Sequence, residues 1–204
     1  SILFLFTILV LLITPIFILI FAPGFYYDDS KRIIAIDLLR IMFPYLALIS
    51  LVSFASGIQN THEKFSIPAF TPLIFNISLI VAAIFIAPRI NLPVYALAWG
   101  VLIAGFLQLL IHIFALKNIN RLPKPKINFS HPGQINVLKL MIPAILAGGI
   151  VQINLLIDTI FASLLQTGSP TWLYVSDRLI QFPMGIFAIA IGTILLPTLS
   201  KIDV

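Results

Sequence analysis

Apolar residues fall into blocks of about twenty, separated by short polar stretches. The blocks run from Ile2 to Phe21, Ile36 to Ile58, Ile67 to Ala87, Val94 to Leu116, Val137 to Leu165 and Trp172 to Leu199. Crossing the roughly 30 Å hydrocarbon core takes about 20 mostly apolar residues in a helix, so each block is long enough to span a membrane. The pattern predicts an all-α integral membrane protein of about six transmembrane helices, with no independent soluble domain. The first block stops at Ala22-Pro23-Gly24-Phe25, where Pro and Gly end a helix and aromatics suit the interface. A polar loop holding Tyr26, Tyr27, Asp28, Asp29, Lys31 and Arg32 is expected to follow.

The longest polar stretch runs from Lys117 to Gln134. It carries Lys117, Arg121, Lys124 and Lys126 among Pro123, Pro125 and Pro132, which reads as an extended basic linker and the best internal boundary. Taking alternate connections, Lys64, Lys117, Arg121, Lys124, Lys126 and Lys201 fall on one side, and Lys31, Arg32 and Arg89 on the other. Six against three puts the linker in the cytoplasm and the Tyr26 to Arg32 loop outside.

Composition agrees with a membrane protein: 60% of residues are hydrophobic, 9% are charged, and the mean hydropathy is +1.13. The formal charge of +5 would suggest nucleic acid in a soluble chain, but these charges sit in the connections and read as topology signals, with no nucleic-acid partner expected. Zero Cys removes thiolate chemistry, and His62, His112 and His131 are scattered, so no metal site or cofactor is expected. There is no nucleophile elbow and no phosphate-cradling Gly-rich loop with a Lys, so the chain does not read as an enzyme. It starts at Ser1 inside an apolar stretch, as a fragment beginning mid-protein would.

Ionisable groups at membrane depth cost about 2.5 to 3.5 kcal/mol each on insertion scales, so those present usually face a cavity or a partner. Arg40, Asp158, Asp177 and Arg178 qualify. Arg40 and Lys139 lie near the ends of their expected helices, where long side chains snorkel to headgroups. Asp158 and Arg178 flank a tight connection and sit at similar expected depth, roughly 10 Å below the helix ends, within reach of an ion pair. Asn154 is one turn from Asp158, and Gln181 one turn from Asp177 and Arg178. Two readings stand. One is a polar wall in which Arg178 offers a planar fork to phosphate while Asp158 or Asp177 holds it; the other is a structural ion pair locking two helices. Asn76, Gln108, His112 and Gln152 are polar without charge, and interhelical hydrogen bonding accounts for them. Prolines at 15, 44, 68, 72, 143, 183 and 197 favour kinks suited to a moving carrier. Small residues at Ala147-Gly148-Gly149 and at Gly185, Ala188, Ala190 and Gly192 permit close helix packing.

Three runs carry a family resemblance. They are Arg40-Ile-Met-Phe-Pro-Tyr-Leu, then Gly57-Ile-Gln-Asn60 with Phe65-Ser-Ile-Pro-Ala-Phe-Thr-Pro72 and Asn76, and Ser176-Asp-Arg-Leu-Ile-Gln-Phe-Pro183 leading to Gly192-Thr-Ile-Leu-Leu-Pro-Thr-Leu-Ser200. Together they resemble the MurJ (MviN) lipid II flippases over essentially the whole chain. The Asp-Arg-Leu-x-x-Phe-Pro run and the Leu-Pro-x-Leu-Ser ending are the specific part. The resemblance implies part of a fourteen-helix, two-lobed exporter fold of the multidrug, oligosaccharidyl-lipid and polysaccharide exporter superfamily. Residues 1–118 would be helices three to six in the N-terminal lobe, 119–134 a basic cytoplasmic linker, and 135–204 the first two helices of the C-terminal lobe. It also implies a bacterial inner-membrane carrier that flips lipid II by alternating access for cell wall synthesis, with Arg178 among the residues that bind the substrate. The family's arginines of its first two helices have no counterpart here, so this piece alone is expected not to transport. The rivals are another lipid-linked oligosaccharide or drug exporter of the superfamily, and a non-transporting membrane scaffold that binds cell-wall synthesis proteins.

Overall fold

Proline decides where the first apolar block bends. In the computed structural model the block is two helices, α1 (Ile2–Leu12) and α2 (Thr14–Phe21), meeting at 83° around Ile13 rather than forming one straight span. Pro15 has no N–H for the carbonyl of Leu11 and its ring crowds that oxygen. The Thr14 hydroxyl takes over, lying 2.9 Å from the Leu11 carbonyl oxygen and 3.0 Å from that of Val10. The structure describes residues 2–123, 132–181 and 183. The far half of the expected sixth span, with Gly185, Ala188, Ala190, Gly192 and Pro197, lies outside the described residues, as do residues 124–131 of the linker.

The expected polar loop from Tyr26 to Arg32 is largely helical. A short α3 (Pro23–Tyr26) leads into α4 (Asp29–Met42). The Asp28 carboxylate caps α4, accepting from the backbone N–H of Ser30 at 3.1 Å and of Lys31 at 3.2 Å. Ion pairs Lys31–Asp28 at 3.2 Å and Arg32–Asp29 at 2.6 Å tie down the first turn. Pro44 begins α5 (Pro44–Thr61) after a break at Phe43, and α4 with α5 makes one span from Asp29 to Thr61. Arg40 therefore lies in the last turn of α4, roughly 16 Å from the start of that span at 1.5 Å per residue.

Helix α6 (Ser66–Val81) runs into a π-helical turn (Ala82–Ile86) and a 3-10 turn (Ala87–Arg89) ahead of α7 (Val94–Asn118). Helix α7 is the centre of this half. Every fourth residue from Ala96 through Gly100, Ala104, Gln108 and His112 to Leu116 is buried, a row that lies along one side of a helix. Small residues let its neighbours close in: a Cβ on Gly100 would sit 2.8 Å from the Cβ of Ala82, and one on Gly105 would sit 2.7 Å from the Tyr45 ring. Helices α5 and α6 both pack on α7 and touch each other little.

Beyond the linker, α8 (Pro132–Leu164) is followed by a tight turn and the helical residues 169–181. Among the described residues four helices are long and apolar enough to cross a membrane, and the bent α1–α2 pair makes a fifth. All regular elements among the described residues are helical. Large apolar side chains such as Leu140, Leu146, Phe161 and Leu179 point outward, as lipid-facing or partner-facing residues do.

Candidate functional site

The turn after α8 sets which faces of the last two helices meet. Asp158, Phe161 and Ala162 of α8 and Leu165 just after it line a cleft of about 320 Å3 with Ser169, Trp172, Leu173 and Ser176. These are spaced three and four apart on each helix, so each set is one face. At 100° per residue, Arg178 lies roughly 170° around the helix from the face toward α8. Its described partners agree: Nη1 donates to Oε1 of Gln181 at 3.4 Å, and the guanidinium carbon lies 5.0 Å from the centre of the Tyr174 ring.

The ion pair that similar depth made possible between Asp158 and Arg178 is not formed. The ion pairs among the described residues are the two at the start of α4. Similar depth was legible in the sequence, but facing was not: Asp158 shares a cleft with Ser176, while Arg178 lies on the other side of its helix, beside Tyr174 and Gln181. Asp158, Asn154, Arg178 and Gln181 are exposed and Asp177 is half-buried. Arg178, Gln181 and Tyr174 make one cluster, while Asp158 and Asn154 stand one turn apart on α8. Among the described residues, no three His, Asp or Glu side chains converge as a metal would require.

A second polar constellation lies between α5, α6 and α7. His112 is fully buried, and Gln59 and Gln108 are 1% exposed. Gln59 Nε2 lies 2.8 Å from His112 Nδ1, and Thr71 Oγ1 lies 2.9 Å from Nε2. Because the Thr71 hydroxyl also donates to the Ile67 carbonyl at 3.2 Å, the network assigns the His112 proton to Nε2, with Nδ1 accepting from Gln59. Gln108 Nε2 donates to the Thr71 carbonyl at 2.9 Å, and the Tyr45 hydroxyl reaches Gln108 Oε1 at 3.5 Å. Gln59 Oε1 is buried with no hydrogen-bond partner among the described residues.

Interhelical hydrogen bonding, expected for Gln108 and His112, holds. Asn76 instead lines the open side of a cleft beside them, and Gln152 lines a cleft between α8 and the end of α2. The sequence reading missed Gln59, Ser56, Thr71 and Tyr45 as members. The signal available was Ser56 and Gln59 at i and i+3, one face of α5. It also missed Asp37, which accepts from the Tyr95 hydroxyl at 3.0 Å and links α4 to α7.

The two halves of the chain touch at the turn after α8. The Gly24 N–H donates to Ser163 Oγ at 3.2 Å, Lys31 Nζ donates to Thr167 Oγ1 at 3.0 Å, and a Cβ at Gly24 would overlap the Ser163 carbonyl. Only glycine permits this approach.

Known proteins share this arrangement of sequence. The family model described as "Lipid II flippase MurJ" matches residues 1–204. A lipid II flippase MurJ of Burkholderia cenocepacia is 43% identical over 187 residues, covering 90% of this chain and 36% of that protein. Probable lipid II flippases MurJ of Buchnera aphidicola and Haemophilus influenzae are each 46% identical, covering 90% and 80% of this chain and 36% and 32% of their own lengths. The chain thus spans about a third of the length of these relatives. With a match from end to end and this level of identity, the chain belongs to the MurJ family of lipid II flippases.

Proposed function

We propose that this chain is part of a carrier that moves lipid II from the cytoplasmic to the periplasmic leaflet of the bacterial inner membrane by alternating access. The relatives are named as flippases, a transporter family, and the chemistry needed here is binding and movement rather than bond making. The observation that carries the reading is the placement of Arg178. An arginine at membrane depth stays charged, and here its guanidinium lies beside Tyr174 and Gln181, on the helix side away from α8, with no bridge to Asp158. That leaves the planar fork disposed for a bidentate contact to a phosphate, the chemistry a pyrophosphate-linked lipid presents. Asp177 next to it and Gln181 one turn on are proposed to hold the fork, and Asp158 with Asn154 to line a polar wall on α8.

Movement has a structural basis in the same reading. The bend at Ile13 and the break at Phe43 divide two spans into stiff halves. Residues 1–118 and 135–204 are proposed to belong to separate lobes joined by the basic linker. The Gly24–Ser163 and Lys31–Thr167 contacts would then close the outer side.

The test is complementation of a flippase-depleted bacterium by the full-length parent gene carrying Arg178→Ala, with insertion checked by immunoblot. Loss of growth at normal protein level supports substrate binding by Arg178, and full growth overturns that role. The charge swap Asp158→Arg with Arg178→Asp is expected to fail as well, because the two residues are not partners. A swap that restored growth would favour the structural ion pair and a scaffold role.

A further inference from the structure

Helices α5 and α6 diverge while both stay on α7, which opens a cleft of about 580 Å3 along their length. That volume is within the roughly 300–1,000 Å3 of small-ligand sites. Every lining residue is uncharged. Its polar groups are hydroxyls and amides: Ser53, Ser56, Asn60, Thr71, Asn76 and Gln108. Two aromatic rings, Tyr45 and Phe75, close one end, 5.7 Å apart between centres. Pro72 adds an acceptor, since it gives no N–H to the carbonyl of Pro68 one turn earlier, and both prolines line the cleft.

The floor is held in place. Gln108 is nearly buried and fixed by bonds to the Thr71 carbonyl and Tyr45, and Thr71 and Ser56 are both within reach of His112 Nε2, at 2.9 and 3.5 Å. Gln108, Thr71 and Ser56 are therefore oriented before anything enters. The open wall leaves space: a Cβ built on Gly57, which lines the cleft, meets nothing within 4 Å.

A neutral wall of hydroxyls and amides beside aromatic rings suits a neutral ligand rich in hydroxyl and amide groups. Among the described residues its lining offers a phosphate no cation. We propose that the α5–α6 cleft binds the sugar portion of the lipid-linked substrate, apart from the arginine that takes its pyrophosphate. This rests on the reading under Proposed function.

The experiment uses the full-length protein in nanodiscs and two probes, lipid II and undecaprenyl pyrophosphate, which share the lipid and pyrophosphate and differ in the sugar-peptide part. Gly57→Leu fills the cleft from its open wall, and Ser53→Leu fills it from a second, exposed position. Each is expected to weaken lipid II binding at least tenfold and to leave undecaprenyl pyrophosphate binding within twofold, with the unfolding temperature unchanged. Arg178→Ala is expected to weaken both probes. Equal loss for both probes in the two leucine variants, or no loss in either, overturns the sugar subsite while leaving the flippase reading standing. Failure of both leucine variants to fold means that another part of the protein fills the cleft, and also overturns it. Wild-type protein that binds neither probe overturns the flippase reading, and the subsite with it.

Discussion

Gln59 Nε2 and His112 Nδ1 lie 2.8 Å apart, joining α5 to α7 through two side chains that are almost wholly enclosed. The other ring nitrogen is held by Thr71 of α6, so a single imidazole ties three membrane helices together. Interhelical hydrogen bonds in membranes average about 0.6 kcal/mol, but groups left unpaired in the interior cost about 1 to 3 kcal/mol. His112→Leu strips both Gln59 and Thr71 of a partner. It is expected to destabilise the full-length protein by about 1 to 3 kcal/mol, read as a lower unfolding temperature in detergent, and an unchanged temperature would show the network to be dispensable.

At Gly24 the close approach to Ser163 leaves no room for a side chain. Gly24→Val is expected to open the contact between α3 and the end of α8, at about 1 to 3 kcal/mol for an overpacked site. Gly148→Ala, where an added Cβ meets nothing within 4 Å, serves as the comparison and is expected to be silent. A disulfide trap between cysteines placed at Phe25 and Thr167 reports the joint directly: trapping should fall in Gly24→Val and persist in Gly148→Ala.

The bend between α1 and α2 depends on Pro15, and the Thr14 hydroxyl satisfies the carbonyls of Val10 and Leu11 that the bend exposes. Restoring the missing N–H with Pro15→Ala is expected to straighten the pair. Spin labels at Leu3 and Phe21 should then move apart. Thr14→Val keeps the bend but removes the compensating hydroxyl, and is expected to cost about 1 kcal/mol.

Hydrogen bonds from Ser30 and Lys31 hold the Asp28 carboxyl down at about 2 against an ordinary 3.8. A depressed folded value means that the cap's contribution is complete above pH 3.8 and is lost as pH falls toward 2. The start of α4 is thus expected to loosen only in strong acid. The unfolding temperature should drop between pH 4 and 2 in the wild type, and Asp28→Ala should show a smaller drop from a lower start.

Much of the fold was legible because a membrane leaves few choices: only helices satisfy their backbone internally in lipid, so long apolar blocks mark spans. Five of the expected spans are found in outline, although Asp29 rather than Ile36 begins the second, because Asp28 caps a helix where a run of polar residues suggested a loop. Of the prolines expected to favour kinks, Pro15 stands at a bend, whereas Pro72 and Pro143 lie inside α6 and α8. The 83° turn at Ile13 depends on how α2 then packs against α4 and α8.

The sites were less legible. Residue type and spacing singled out Arg178, Gln181, Gln108 and His112, because a charge or an amide in an apolar block is costly wherever it points. Which way each points is decided by helix rotation and by which neighbours arrive. The turn at residues 165–168 brought Asp158 and Ser176 to one cleft and left Arg178 on the far side of its helix. The cleft between α5 and α6 exists because both helices close on the small residues of α7 and so diverge from each other, a consequence of three helices packing together that no single segment contains. Sequence by itself therefore determined the membrane class, the spans and the family, through composition, block length and motif. Tertiary structure decided the pairings and the cavity, since these depend on the relative rotation and separation of helices.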